Sequence, residues 1–105
     1  MNTRILLVED DERLAELTAE YLTRNDFQVA VEPRGDTAET RILAEQPDLV
    51  ILDVMLPGLS GYDVLDELRR RPETLAQAAQ IEGMTPAGLA LILAHLRKAR
   101  RVSSQ

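Results

Sequence analysis

Two short runs of unbroken apolar side chains set the limits on what this chain can fold into. Ile5-Leu6-Leu7-Val8 stops abruptly at Glu9-Asp10-Asp11-Glu12, and Leu49-Val50-Ile51-Leu52 stops at Asp53. A strand with one wet face alternates apolar and polar residues, whereas a strand without alternation is covered on both faces, as in a parallel sheet sandwiched by helices. The residues between the two runs supply the crossovers. Leu14, Leu17, Tyr21 and Leu22 follow at helical spacing, behind Asp11 and Glu12, acids that suit the positive end of a helix dipole. Phe27, Val29 and Val31 alternate up to the turn Pro33-Arg34-Gly35. A second helix is expected from Thr37 to Glu45, with Ala38, Ile42 and Leu43 turned inward, and Pro47 ends it. After Asp53, Pro57-Gly58 and Gly61 make a tight loop before a third helix carrying Val64, Leu65 and Leu68. Strand and helix thus alternate three times, which predicts right-handed crossovers and a doubly wound α/β layer.

Length and composition exclude several alternatives. The chain has 105 residues, enough for one domain with a small appendage. It contains no cysteine, which removes disulfides and thiolate metal sites. No apolar run approaches the ~20 residues of a membrane span, and Asn2-Thr3-Arg4 leads into only four apolar residues, unlike a secretory leader. A cytoplasmic location without a membrane partner is expected. The net charge of −6 divides unevenly. Residues 1–68 carry five basic and sixteen acidic side chains, a net of −11, while residues 69–105 carry seven basic and two acidic, a net of +5. The split suggests two segments with different partners, or one segment attracted to the other.

The acids at the strand ends are the candidate site. In open parallel sheets, functional groups gather at the carboxyl ends of strands, where strand order reverses. If the first and third strands are neighbours, Glu9, Asp10 and Asp53 converge on one sheet edge. Converging carboxylates either raise a pKa or bind a hard cation, and oxygen donors without His or Cys point to magnesium. The alternative is that each acid simply ends a strand at a solvated rim.

Arg4-Ile5-Leu6-Leu7-Val8-Glu9-Asp10-Asp11, Pro47-Asp48-Leu49-Val50-Ile51-Leu52-Asp53-Val54-Met55-Leu56-Pro57-Gly58 and Ser60-Gly61-Tyr62-Asp63 carry a family likeness over about the first 70 residues. They resemble the receiver domains of response regulators that bear a winged-helix output domain. The resemblance implies a flavodoxin-like half-domain, with a three-stranded parallel sheet in the order 2-1-3 and flanking helices. It implies that Asp53 accepts a phosphoryl group from a sensor histidine kinase in a two-component phosphorelay. Asp10 and Asp53 would bind Mg2+ directly, Glu9 through water, and the Met55 backbone carbonyl would complete the shell. No role as an enzyme is implied. A complete receiver also has a fourth strand ending in Thr or Ser and a fifth ending in Lys. Here Lys98 is the only lysine and precedes Ala99, and Thr85 lies in Gly-Met-Thr-Pro, so neither role transfers. The usual switch output is therefore not expected. The far edge of the third strand would lack its usual partner and invite either cover by the tail or pairing with a second copy, giving a dimer.

Beyond Pro72 the pattern changes. Thr74 with Gln77 reads as a capping box, Gly83 as a helix end, and Thr85-Pro86 as a new helix start. These predict a helical, helix-turn-helix-like segment over residues 71–105, with helices at Leu75–Glu82 and from Pro86 through Leu89, Ile92, Leu93 and Leu96. Residues 71–101 resemble the C-terminal tail of the large flavin-dependent subunit of the tRNA wobble-uridine modification enzyme, whose catalytic and flavin-binding parts are absent here. The join at Arg69-Arg70-Arg71-Pro72 therefore reads as a chimera, a receiver-like half-domain (1–70) followed by a helical tail (71–105). Arg97, Lys98, Arg100 and Arg101 are candidates for phosphate contact with nucleic acid, or for binding a partner subunit. A third possibility is a recombined scaffold with no biochemical function.

Overall fold

The computed structural model describes residues 2–54, 56, 58–70, 75–84 and 90–98, with the last two stretches and Arg69 described by backbone alone. The elements run β1 (Arg4–Val8), α1 (Glu12–Arg24), β2 (Gln28–Glu32), α2 (Ala38–Glu45), β3 (Leu49–Asp53), α3 (Gly61–Arg69), β4 (Leu75–Met84) and β5 (Ala90–Lys98). β1 lies between β2 and β3 and is parallel to both, so the first three strands take the order 2-1-3 expected of them. With neighbours on both sides and helices on both faces, β1 has no wet surface, which is why its sequence does not alternate.

Successive side chains of these strands feed two cores. Leu6, Val8, Val50 and Leu52 pack with Ala38 and Ile42 of α2 and with Val64, Leu65 and Leu68 of α3. Ile5, Leu7 and Ile51 pack on the opposite face with Ala15 of α1 and, at the margin, Leu22, Phe27, Val29 and Val31. Each large side chain fully buried in this way contributes roughly 1.5–3 kcal/mol. The inward faces of α2 and α3 are those expected. On α1, however, Ala15 is the buried residue, while Leu17 and Tyr21 are 55% and 67% exposed.

Register is fixed at the first residue of β1. The Arg4 N–H donates to Asp48 Oδ2 at 2.9 Å, the Asp48 N–H donates to the Arg4 carbonyl at 2.8 Å, and the Arg4 guanidinium donates to the Glu45 and Gln46 carbonyls. Those carbonyls belong to the end of α2, where no intrahelical donor remains. The latch ties β1, α2 and β3 together and sets Val8 opposite Leu52. A one-residue slip would turn every core side chain to the wrong face. Gln46 holds a left-handed φ of 49° as it closes α2. Glycine is the residue that adopts this conformation without strain. Gln46→Gly is expected to raise unfolding free energy by about 0.5 kcal/mol, measurable as a higher urea midpoint with an unchanged slope.

The tail differs from the sequence expectation. Residues Leu75–Met84 and Ala90–Lys98 form two antiparallel strands instead of two helices, and β5 pairs antiparallel with β3, giving a five-stranded sheet of order 2-1-3-5-4. The physical reason is the open edge of β3. Its unpaired backbone groups take a strand more readily than a helix, and the run Ala90-Leu91-Ile92-Leu93-Ala94 is apolar enough to serve as one. The capping patterns are local and weak, and such pairing overrides them. Two expectations are decided by this. Among the described residues, Arg97 and Lys98 lie near the end of a strand and not on a recognition helix, and of the two partners expected for the β3 edge, the tail or a second copy, the structure has the tail there, as the strand β5. Thr74, Thr85, Pro86, Arg100 and Arg101 lie outside the described residues. Among the described residues no helix is long and apolar enough to cross a membrane.

Candidate functional site: a carboxylate cluster at the sheet edge

Because Val8 stands opposite Leu52, the residues that follow, Glu9 and Asp53, arrive level at the carboxyl edge of the sheet. The β1–β2 pairing continues one step further, as the Glu9 N–H donates to the Glu32 carbonyl at 3.1 Å. That bond fixes the Glu9 backbone and turns its carboxylate toward β3. The chain then enters α1 through Asp11, whose side chain accepts from the Leu14 N–H at 2.9 Å as an N-cap. The Asp11 N–H in turn donates to Glu9 Oε2 at 3.2 Å. Beyond β3, the Gly61 N–H donates to the Val54 carbonyl at 3.1 Å, closing the loop before α3. Ser60 and Asp63 form the reciprocal capping box that starts this helix.

The three predicted acids do meet. One oxygen each of Glu9, Asp10 and Asp53 lies within 4.8 Å of the others. Glu9 is 4% exposed, Asp53 is 8% exposed, and Asp10 faces solvent. At such a separation two ionised carboxylates repel by roughly 3–4 kcal/mol at an effective dielectric of about 20. Glu9 answers this by holding its proton, and its pKa is pushed up to about 7. Burial is the main cause, the Asp53 charge and a hydrogen bond to Asp53 add to it, Asp10 adds a little, and the Asp11 N–H opposes. The donor set fits a hard divalent cation, having three carboxylates, no nitrogen or sulfur, and one open side at Asp10 for water or a further ligand. Glu9, Asp10 and Asp53 are the side chains that would hold it. Met55, whose carbonyl was expected to join them, lies outside the described residues. Arg97 and Lys98 fall on β5 and are not brought to this edge by the strand register.

Sequence reasoning missed the wall beside the cluster. Glu32 ends β2 as Asp53 ends β3 and Glu9 follows β1, but its carboxylate turns inward. It accepts from the Arg34 N–H and the Thr37 hydroxyl, each at 2.9 Å, and faces the Arg41 guanidinium at 3.5 Å. Arg41 also donates to the Val31 carbonyl at 2.6 Å and to Glu45 at 2.7 Å. This network shapes the loop 33–37. A third acid-terminated strand directly before Pro33 was the available signal. The loop packs closely against the segment after β3, because a Cβ on Gly35 would sit 3.2 Å from Leu56 Cδ1, tight enough to favour glycine there. Two open clefts flank Asp10. One of about 430 Å³ runs along α1 past Glu9, Glu12, Glu16 and Val31. The other, about 460 Å³, is bounded by Arg34, Gly35, Asp36, Gly58 and Leu59.

Comparison with known proteins agrees with this arrangement. The family model for the response regulator receiver domain matches residues 5–85. The transcriptional regulatory protein RstA of Escherichia coli (strain K12) is 55% identical over 71 residues, 68% of this chain and 29% of that protein. The phosphate regulon transcriptional regulatory protein PhoB of Rhizobium meliloti is 47% identical over 74 residues, 70% of this chain and 33% of that protein. The chain thus spans about a third of the length of the curated relatives it matches. Among solved structures, the BeF3-activated N-terminal receiver domain of Klebsiella pneumoniae RstA is 49% identical with a TM-score of 0.62, covering 66% of this chain and 59% of that one. Thermotoga maritima TrrA in complex with Mg(2+)-BeF is 35% identical with a TM-score of 0.62, covering 65% and 59%. Receiver domains bind Mg2+ at an acidic cluster of this kind, and by its matched residues the chain belongs to the response regulator receiver domain family.

Proposed function

We propose that this chain is the phosphoacceptor module of a two-component phosphorelay, with Asp53 as the residue that takes the phosphoryl group from a sensor histidine kinase. The observation that carries the reading is the convergence of Glu9, Asp10 and Asp53 at the carboxyl edge of β1 and β3. In the transfer, an Asp53 carboxylate oxygen bonds to phosphorus while the donor's P–N bond breaks. The electron pair leaves on the imidazole nitrogen, and an acyl phosphate remains on Asp53. A carboxylate and a phosphoryl group repel, so a bound Mg2+ supplies the compensating positive charge. Within the chain, Asp10 and Asp53 would hold the ion directly and Glu9 through water, and by the family resemblance the Met55 carbonyl would complete the set. The β1–β3 pairing holds the acids in place before any donor arrives, so little reorganisation is left for the reaction itself.

Beryllofluoride with Mg2+, a stand-in for the phosphoryl group, tests this reading. At a hundredfold excess over its dissociation constant it is expected to stabilise the fold by about 2.7 kcal/mol, read as a rise in melting temperature. Asp53→Ala is expected to abolish that rise while Mg2+ alone still binds weakly. An equal rise in wild type and Asp53→Ala defeats the proposal. The division at residue 70 belongs with it. The reversal of charge beyond Leu68 supports a receiver-like part followed by a tail of different character.

A further inference from the structure

We infer that the cleft between the 33–37 loop and the segment after β3 receives the phosphoryl donor, and that Arg34 is the residue that recognises the donor's anionic group. The inference rests on the phosphoacceptor reading above and names the substrate-binding surface of that same site. A phosphoryl donor is an anion that has to approach three carboxylates, so its path needs a cation. Of the two clefts that open beside Asp10, the one along α1 is walled by Glu9, Glu12 and Glu16 and repels it. The other has Arg34 on its rim, the only cation lining either cleft among the described residues.

Arg34 is built for the task. Its backbone N–H is pinned by the buried Glu32 carboxylate at 2.9 Å, so the base of the side chain does not wander. Its side chain is 67% exposed, and its guanidinium is held in a fork by Asp36, at 2.9 Å through Nε and 2.6 Å through Nη2. Asp36 engages Nε and one terminal nitrogen and leaves the remaining N–H groups of the planar fork for a further oxyanion. Beside Arg34, Gly35 lies close against Leu56 and Leu59, leaving little room for a side chain there. A space of about 460 Å³ suits a small acyl phosphate or the imidazole of a phosphohistidine. With an acyl phosphate, the Asp53 O–P bond forms as the donor's P–O bond breaks, and the electron pair departs with the donor's carboxylate.

The pair Arg34 and Asp36 makes the test discriminating, because Asp36 competes with the donor for the same guanidinium. The experiment follows phosphorylation of the full chain by acetyl phosphate with Mg2+, by intact mass. Alongside it, amide shifts of Gly35 and Gly58 are followed during titration with phosphonoacetate, which cannot transfer its phosphorus. Arg34→Ala is expected to raise KM and the phosphonoacetate Kd about fivefold to tenfold with kcat nearly unchanged, and Arg34→Lys to recover part of the loss. Asp36→Asn is expected to shift both constants the other way, about twofold to fivefold. A purely structural ion pair would make both variants worse, and that result, or constants unchanged in both, overturns the inference. Phosphorylated Asp53 with constants blind to both variants leaves the relay reading standing and removes the cleft. Arg34-dependent phosphonoacetate binding without any phosphorylation removes the relay reading and leaves an anion site.

Discussion

Truncating Leu52 to alanine is expected to cost 2–5 kcal/mol of unfolding free energy, the range for emptying a well-packed leucine site. Leu52 is fully buried, stands between Val8 on β1 and Ile92 on β5, and belongs to the core shared by α2 and α3. Neighbours held by β-pairing on both sides have little freedom to collapse into the space. A domain of this size has about 5–15 kcal/mol in all, so the variant loses a large share of its stability. Urea unfolding checks this, as the midpoint falls with little change in slope. Leu17→Ala is the internal control. That side chain is 55% exposed, and its loss is expected to change stability by less than about 0.5 kcal/mol. Equal effects at the two positions would show that the two-layer core is misplaced.

The second large effect comes from the Glu9 proton. Its pKa is raised from the ordinary 4.5 to about 7 in the fold, chiefly by burial and then by Asp53, so the native state holds this proton more tightly than the unfolded chain. The sign follows. The cost is absent below about pH 4.5, grows between 4.5 and 7, and is complete above 7, so stability without metal falls as pH rises. At about 1.4 kcal/mol per decade, this interval amounts to roughly 3 kcal/mol. Magnesium bound as proposed would compete with the proton for the cluster and reverse the trend. Its stabilising effect is expected to be larger at pH 8 than at pH 6, with proton uptake when chelator removes it. Glu9→Gln keeps an oxygen for the Asp11 N–H and removes the charge. It is expected to raise metal-free stability at pH 8, flatten the pH profile and weaken Mg2+ binding. A wild-type stability curve without metal that is flat from pH 5 to 8 would rule the Glu9 assignment out.

Much of the site was legible because it lies where strands end. Unbroken apolar runs identify β1 and β3, the acids that stop them identify Glu9, Asp10 and Asp53, and the pleat does the rest. The helical faces of α2 and α3 follow from spacing alone. Other features depend on distant partners. Leu17 and Tyr21 have the spacing of an inward stripe, yet Ala15 lies against the sheet, because a close helix-to-sheet approach needs a small residue. Glu32 reads as one more solvated acid until the Arg34 N–H, Thr37 and Arg41 are seen to fold around it. Leu89, Ile92, Leu93 and Leu96 match a helical period, but Ala90 to Ala94 is also an unbroken apolar run. Only the vacant edge of β3 decides between the two.

The antiparallel direction of β5 gives the sheet an electrical polarity. Leu91 lies beside Asp53 and His95 beside Leu49, so the strand starts at the acidic rim and runs away from it. Lys98 is seven residues beyond Leu91, or ~24 Å at the rise of an extended strand, about three Debye lengths at physiological salt. The positive pole of the strand therefore contributes almost nothing to charge balance at the carboxylates.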